Sequence, residues 1–139
     1  MQFYRQAARK VKNQKVRDMF NQLAEQEKAH VESLREKARF LQPTLYKKSE
    51  GKTIDRSTAQ SLKGGIFPDT EGKLAGTIKS DMDALDLGIE SEERSIKALS
   101  DLLAEEKKLD VRAIFMHLIV EEKGHLATLR QLRKRLASA

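Results

Sequence analysis

Glu27-Lys28-Ala29-His30 and Glu122-Lys123-Gly124-His125 each place a carboxylate and an imidazole three residues apart, and the two motifs are separated by 122 − 27 = 95 residues. On a helix, residues three apart share a face, one turn apart, so each motif projects one oxygen and one nitrogen donor to the same side. Two such pairs facing each other give a sulfur-free set of carboxylates and imidazoles. That donor set suits iron or manganese, with zinc as a possible occupant. The motifs therefore read as two metal half-sites, Glu27 with His30 and Glu122 with His125.

A single Glu-x-x-His is a weak signal, and the duplication strengthens it. Shifting the chain by 95 also superimposes Val16 on Val111, Arg17 on Arg112, Phe20 on Phe115, Leu23 on Leu118, Leu34 on Leu129 and Arg35 on Arg130. With Glu, Lys and His of the motifs, nine of the 21 positions from 15 to 35 are identical. A repeat of this length means two copies of one supersecondary unit, and where both copies read as helix that unit is a helix hairpin.

Apolar periodicity predicts four helices, over about 1–11, 14–41, 80–106 and 110–136. The second has the seam Val16, Phe20, Leu23, Glu27, His30, Leu34 and, past Lys37, Leu41; the fourth has Val111, Phe115, Leu118, Glu122, His125, Leu129, Leu132 and Leu136. Steps of three and four keep the Glu and His inside the apolar stripe. The third helix starts at a capping box, Ser80 with Asp83, and its seam Met82, Leu85, Ile89, Glu92, Ile96, Leu99, Leu103 is also broken by one acid. Glu90 and Glu93 lie about 200 and 100 degrees around the helix from Glu92, so they belong to the solvated side and Glu92 is the third candidate ligand.

The first helix is short, with Tyr4, Ala7, Ala8 and Val11 inward. Tyr4, Phe20 and Phe115 read as core packing, and nothing in the sequence demands that Tyr4 lie near a metal. The repeat partner of Glu92 falls at 92 − 95 = −3, ahead of Met1, so the first helix is truncated relative to the repeat. A clipped chain and a lost ligand are the two explanations. His117 lies off the seam and reads as an ordinary surface or hydrogen-bonded histidine. Residues 42–79, which hold Pro43, Pro68 and five of the seven glycines, form a crossover long enough to join helices that are not antiparallel neighbours, with a short helix expected around Ser57 to Leu62.

Burying Glu27, Glu92 and Glu122 without compensation would cost several kcal/mol per charge. A small domain has a total stability of only about 5–15 kcal/mol. No Lys or Arg stands in the matching layer of any seam, so the compensating charge is expected to be metallic. Two divalent ions bring four positive charges, which three carboxylates and the fourth implied by the repeat would balance.

Composition bounds the rest. With 139 residues, 39% of them hydrophobic, the chain can bury one core and reads as a single domain over 1–139. Two prolines among long runs of Ala, Leu, Lys, Glu, Arg and Gln point to an all-α fold. Cysteine is absent, which excludes disulfides and cysteine-ligated iron within this chain. No apolar run approaches the roughly 20 residues of a membrane span, and the N-terminus lacks a signal-peptide core, so a cytoplasmic protein without membrane contact is expected. The net charge of +6 is carried largely by Arg5–Arg17 and by Arg130, Arg133, Lys134 and Arg135, the last group complementing a helix C-terminus. With only two tyrosines and five phenylalanines there is no aromatic platform among the basic residues, and nucleic acid is not an expected partner.

The double Glu-x-x-His with an in-phase Glu92 resembles the ferritin-like di-iron carboxylate proteins, and within them the rubrerythrin family. Leu118-Ile119-Val120-Glu121-Glu122-Lys123-Gly124-His125-Leu126 and Ile89-Glu90-Ser91-Glu92-Glu93-Arg94-Ser95-Ile96 carry the likeness. The resemblance implies a ferritin-like four-helix bundle built from two repeated helix hairpins with a long crossover loop. It also implies two Fe ions held by Glu27, His30, Glu92, Glu122 and His125, and an oxidoreductase that reacts Fe(II) with oxygen or peroxide. Two departures stand out. Peroxide-reducing members carry a second Glu one turn after the third-helix ligand, where this chain has Ser95. They also carry a cysteine-ligated rubredoxin iron, so electrons here would come from Fe(II) itself or from an external donor protein.

Other readings are an iron-binding bundle with a storage role and no turnover, a bundle that has lost its metals, and a basic DNA-protecting protein. The short first helix leaves apolar seam open at one end, which a homodimer or higher homo-oligomer would cover.

Overall fold

The computed structural model describes residues 2–41 and 75–138. Helix α1 spans Gln2–Lys10, α2 Gln14–Leu41, α3 Asp81–Glu105 and α4 Leu109–Ser138. The four predicted helices are present, α2 with the expected bounds and the other three with ends moved by one or two residues. The short helix expected around Ser57 to Leu62 lies outside the described residues. The fold is all-α, a ferritin-like helical bundle; α1 packs on α2 and α3 on α4, and α2 packs on α4 and α1 on α3.

Local chemistry sets the helix ends. Asn13 caps α2, its Oδ1 accepting from the N–H groups of Lys15 at 2.9 Å and Val16 at 3.2 Å. Ser80 caps α3 by accepting from the Asp83 N–H at 3.1 Å. Asp83 reaches back past Ser80 to the N–H of Lys79, a variant of the expected capping box. Asp81 then accepts from the N–H groups of both Lys12 and Asn13 at 2.8 Å, which ties the α1–α2 corner to the start of α3. This tie and the Tyr4–Glu92 contact described below fix α1 antiparallel to the first half of α3.

The repeated arginines have the same task in each hairpin. Arg17 donates to the Val11 carbonyl at 2.9 Å, just past the end of α1. Arg112 donates to the carbonyls of Leu103 at 2.6 Å and Glu106 at 2.9 Å, at the end of α3. In both, a guanidinium near the start of the second helix satisfies carbonyls left open where the first helix stops.

The interior divides at the layer of Glu27, Glu92 and Glu122. On the α1 side, Phe3, Tyr4, Ala7, Ala8, Val11, Val16, Phe20, Leu23, Leu85 and Leu129 form one buried cluster. Its aromatic centre has Tyr4 5.3 Å from Phe3 and 5.6 Å from Phe20 between ring centroids, in edge and tilted contacts. On the other side Leu99, Phe115, Leu118 and Ile119 are buried, while Leu34, Ile96, Leu102, Leu103, Val111 and Ile114 around them are only partly so. The seam is thus more open beyond the reach of α1.

Candidate metal centre

Glu27 comes from α2, Glu92 from α3, and Glu122 and His125 from α4. Each seam brings its polar residue to the same height because the apolar residues on either side of it pack into the two clusters. The ligand atoms of these four residues lie within 4.8 Å of one another. All three carboxylates are buried, at 1–3% exposure.

The motifs cross-pair. His125 Nδ1 is 3.4 Å from Glu27 Oε1, 3.7 Å from Glu92 Oε1 and 3.8 Å from Glu122 Oε2. His30 Nδ1 is 3.6 Å from Glu122 Oε1. The two imidazoles stack across the gap, with centroids 5.8 Å apart and planes 11° from parallel. Both oxygens of Glu27, one each of Glu92 and Glu122, and the Nδ1 atoms of His30 and His125 are buried without a hydrogen-bond partner. Unpaired buried polar atoms are costly, and five of these six belong to the four residues whose ligand atoms gather together, a pattern that a coordinated cation resolves.

A family model for rubrerythrin matches residues 1–133. The chain belongs to the rubrerythrin family. Neither a curated protein nor a solved structure matches it.

Of the five ligand candidates in this rubrerythrin-family chain, four converge in one group, and His30 stands at its edge. The Nε2 of His30 is in direct contact with Glu121 Oε2, while its Nδ1 faces Glu122. Glu121 was not among the residues that the seam singles out, because it is one position off the stripe; only its place beside the ligand-bearing Glu122 marks it. Tyr4 is in the core, as its spacing predicts, and its hydroxyl also donates to Glu92 Oε1 at 2.5 Å. His117 is 62% exposed and sits 2.6 Å from Glu121 Oε1 through Nε2.

Protonation shows how much positive charge the cluster asks for. Burial pushes the Glu92 carboxyl up to about 8, against the opposing effect of the nearby His125 imidazole. Burial disfavours the charged form of His125, but the close carboxylates of Glu122, Glu27 and Glu92 overcome this and raise the imidazole to about 12. Burial opposes ionisation of Glu122 too, yet its close neighbours His125, His30 and Glu92 hold it below the usual carboxylate range. His30 is raised, first by the close Glu122 carboxylate and in part by the charge of Glu121. Burial, then the neighbouring Glu92, drives the Tyr4 phenol well above its ordinary value, so Tyr4 remains a donor. Without a metal, protons on Glu92 and His125 supply the charge that a cation would otherwise bring.

No helix among the described residues is long and apolar enough to cross a membrane.

Proposed function

We propose that this chain binds two iron ions through Glu27, His30, Glu92, Glu122 and His125, and that it acts as an oxidoreductase of ferroxidase or peroxidase type. The supporting observation is the convergence of buried carboxylate oxygens and imidazole nitrogens that lack hydrogen-bond partners. Oxygen and imidazole donors without sulfur fit iron, and also manganese or zinc. Bound iron would supply redox and Lewis-acid chemistry toward oxygen or peroxide.

The chain's own residues do the rest. Glu27 and Glu122 offer carboxylates from facing helices, and His125 lies between them. Glu92 closes the cluster from α3 and is held in place by the Tyr4 hydroxyl. Phe20, Leu23, Leu85 and Leu129 on one side and Leu99, Phe115 and Leu118 on the other keep water from the donors. In the absence of cysteine, an external donor protein or Fe(II) itself supplies electrons. The form proposed is a cytoplasmic homodimer or higher homo-oligomer that covers the partly open seam around Ile96, Leu103 and Ile114.

Ser95, buried at 3% exposure, occupies the position where peroxide-reducing relatives carry an exchanging Glu. That replacement favours a second reading, iron binding without turnover. The two separate in one experiment: anaerobic loading with Fe(II), then addition of oxygen or peroxide. Oxidation of the loaded iron with multiple turnovers supports the oxidoreductase, whereas retention of iron without turnover supports the binding role.

A further inference from the structure

The 95-residue repeat sets His117 opposite Gln22 and Glu121 opposite Gln26, since 117 − 95 = 22 and 121 − 95 = 26. The first hairpin thus has two neutral amides where the second has an imidazole and a carboxylate. That difference accounts for the unequal placement of the two motif histidines: His30 meets Glu121, while its counterpart His125 has Gln26 at the equivalent position and stays among the inner carboxylates.

Glu121 has an imidazole nitrogen on each oxygen. Its Oε1 lies 2.6 Å from His117 Nε2, and its Oε2 contacts His30 Nε2. His30 turns its other nitrogen, Nδ1, toward the buried Glu122. Side-chain exposure falls stepwise along this line, 62% at His117, 33% at Glu121, 16% at His30 and 3% at Glu122. The donors form a ladder from solvent to the buried cluster. His117 and Glu121 are four residues apart on α4, so they share a face, and His30 adds a third donor from α2. His117, exposed on the outside of α4, can turn about its side-chain bonds without disturbing the core.

We propose that His117, Glu121 and the Nε2 of His30 form an outer site for a divalent transition-metal cation, on the solvent side of the buried cluster and adjoining it at His30. Two imidazoles and one carboxylate suit the borderline cations Zn(II), Co(II) and Fe(II), and leave coordination positions for water. A neutral imidazole ligates through one nitrogen, so the outer site fills alongside a buried ion held by the four converging residues Glu27, Glu92, Glu122 and His125, and its position beside His30 rests on the metal-binding reading above.

The test is anaerobic titration of metal-free full-length protein with Co(II), followed by calorimetry and by visible absorption. The expected wild-type isotherm has a buried class and a weaker outer class. His117→Ala is expected to remove the outer class or weaken it about tenfold or more, and His117→Gln to do the same, with helical circular dichroism unchanged. Glu27→Ala/Glu122→Ala is expected to remove the buried class and keep the outer one. Superimposable isotherms for wild type and both His117 variants would overturn the outer site and show His117–Glu121 to be an ion pair only. Absence of the buried class from wild type, with the His117-dependent class present, would instead refute the buried centre and leave the outer site standing.

Discussion

The two copies of the motif have the same sequence logic and different surroundings. Glu27 and Glu122 are both buried, but His125 sits among three carboxylates whereas His30 is shared between the inner Glu122 and the outer Glu121. The hairpins around them differ in the same sense: Phe20 is packed with Phe3 and Tyr4 under α1, while its repeat partner Phe115 has partly exposed neighbours. A duplicated sequence thus produces a centre with two unlike sides, and residues outside the repeat identities, Tyr4 and Glu121, create the difference.

The largest effect expected from breaking this comparison is on stability. Phe20→Ala should cost about 3–5 kcal/mol, the range for a fully buried aromatic, and Phe115→Ala less, about 2–3 kcal/mol, because the surrounding layer is already partly wet. Urea denaturation followed by circular dichroism measures both; equal costs would contradict the division of the core into a closed and an open half.

Next in size is pH. Glu92 has its folded value raised from 4.5 to about 8, so its contribution to stability is fully present below about pH 4.5 and is lost as pH rises through 8. His125, raised from 6.5 to about 12, contributes below about pH 6.5 and loses that contribution as pH rises toward 12. Both slopes have the same sign, so the melting temperature of metal-free protein should fall from about pH 6 to about pH 9, and Glu92→Gln should flatten it. The same protons must leave before a cation binds, and metal affinity should rise over that interval with proton release. A melting temperature that climbs with pH in both proteins would refute this assignment.

Much of this architecture was legible in the chain. The four helices, the repeat, the inward Glu27, Glu92 and Glu122 and the Ser80 cap follow from period and local chemistry, which depend on neighbours three or four residues away. The role of Glu121 was not legible, since off-seam acids are common on solvated faces and its contacts with His30 are made across helices. The Tyr4–Glu92 hydrogen bond was hidden for the same reason: it joins residues 88 apart, and aromatic spacing reports burial without reporting where the hydroxyl points.

A subtler test is Glu121→Gln, which removes the outer charge from His30, and from His117 beside it, without touching the partners of His125. The His30 imidazole should titrate lower than in the native chain, yet remain raised by its stronger partner Glu122, while His125 keeps its value. Histidine resonances followed by NMR across a pH series of metal-free protein would show this, and equal shifts at both histidines would remove the claimed asymmetry.

The smallest effect concerns the one small residue by which the motifs differ. Gly124 stands where the first copy has Ala29, and a Cβ built there meets nothing within 4 Å. Gly124→Ala should therefore raise stability by about 0.5–1 kcal/mol through helix propensity. A loss of stability would mean that the glycine accommodates a contact on this face of α4.

The central claim is that Glu27, Glu92, Glu122 and the two motif histidines hold metal, and metal content tests it most directly. Elemental analysis of purified protein and of the Glu27→Ala/Glu122→Ala variant, each after anaerobic Fe(II) loading and removal of weakly bound ions, should find about two irons per chain in the first and none in the buried site of the second. Equal iron content in both proteins, or none in either, would contradict the account.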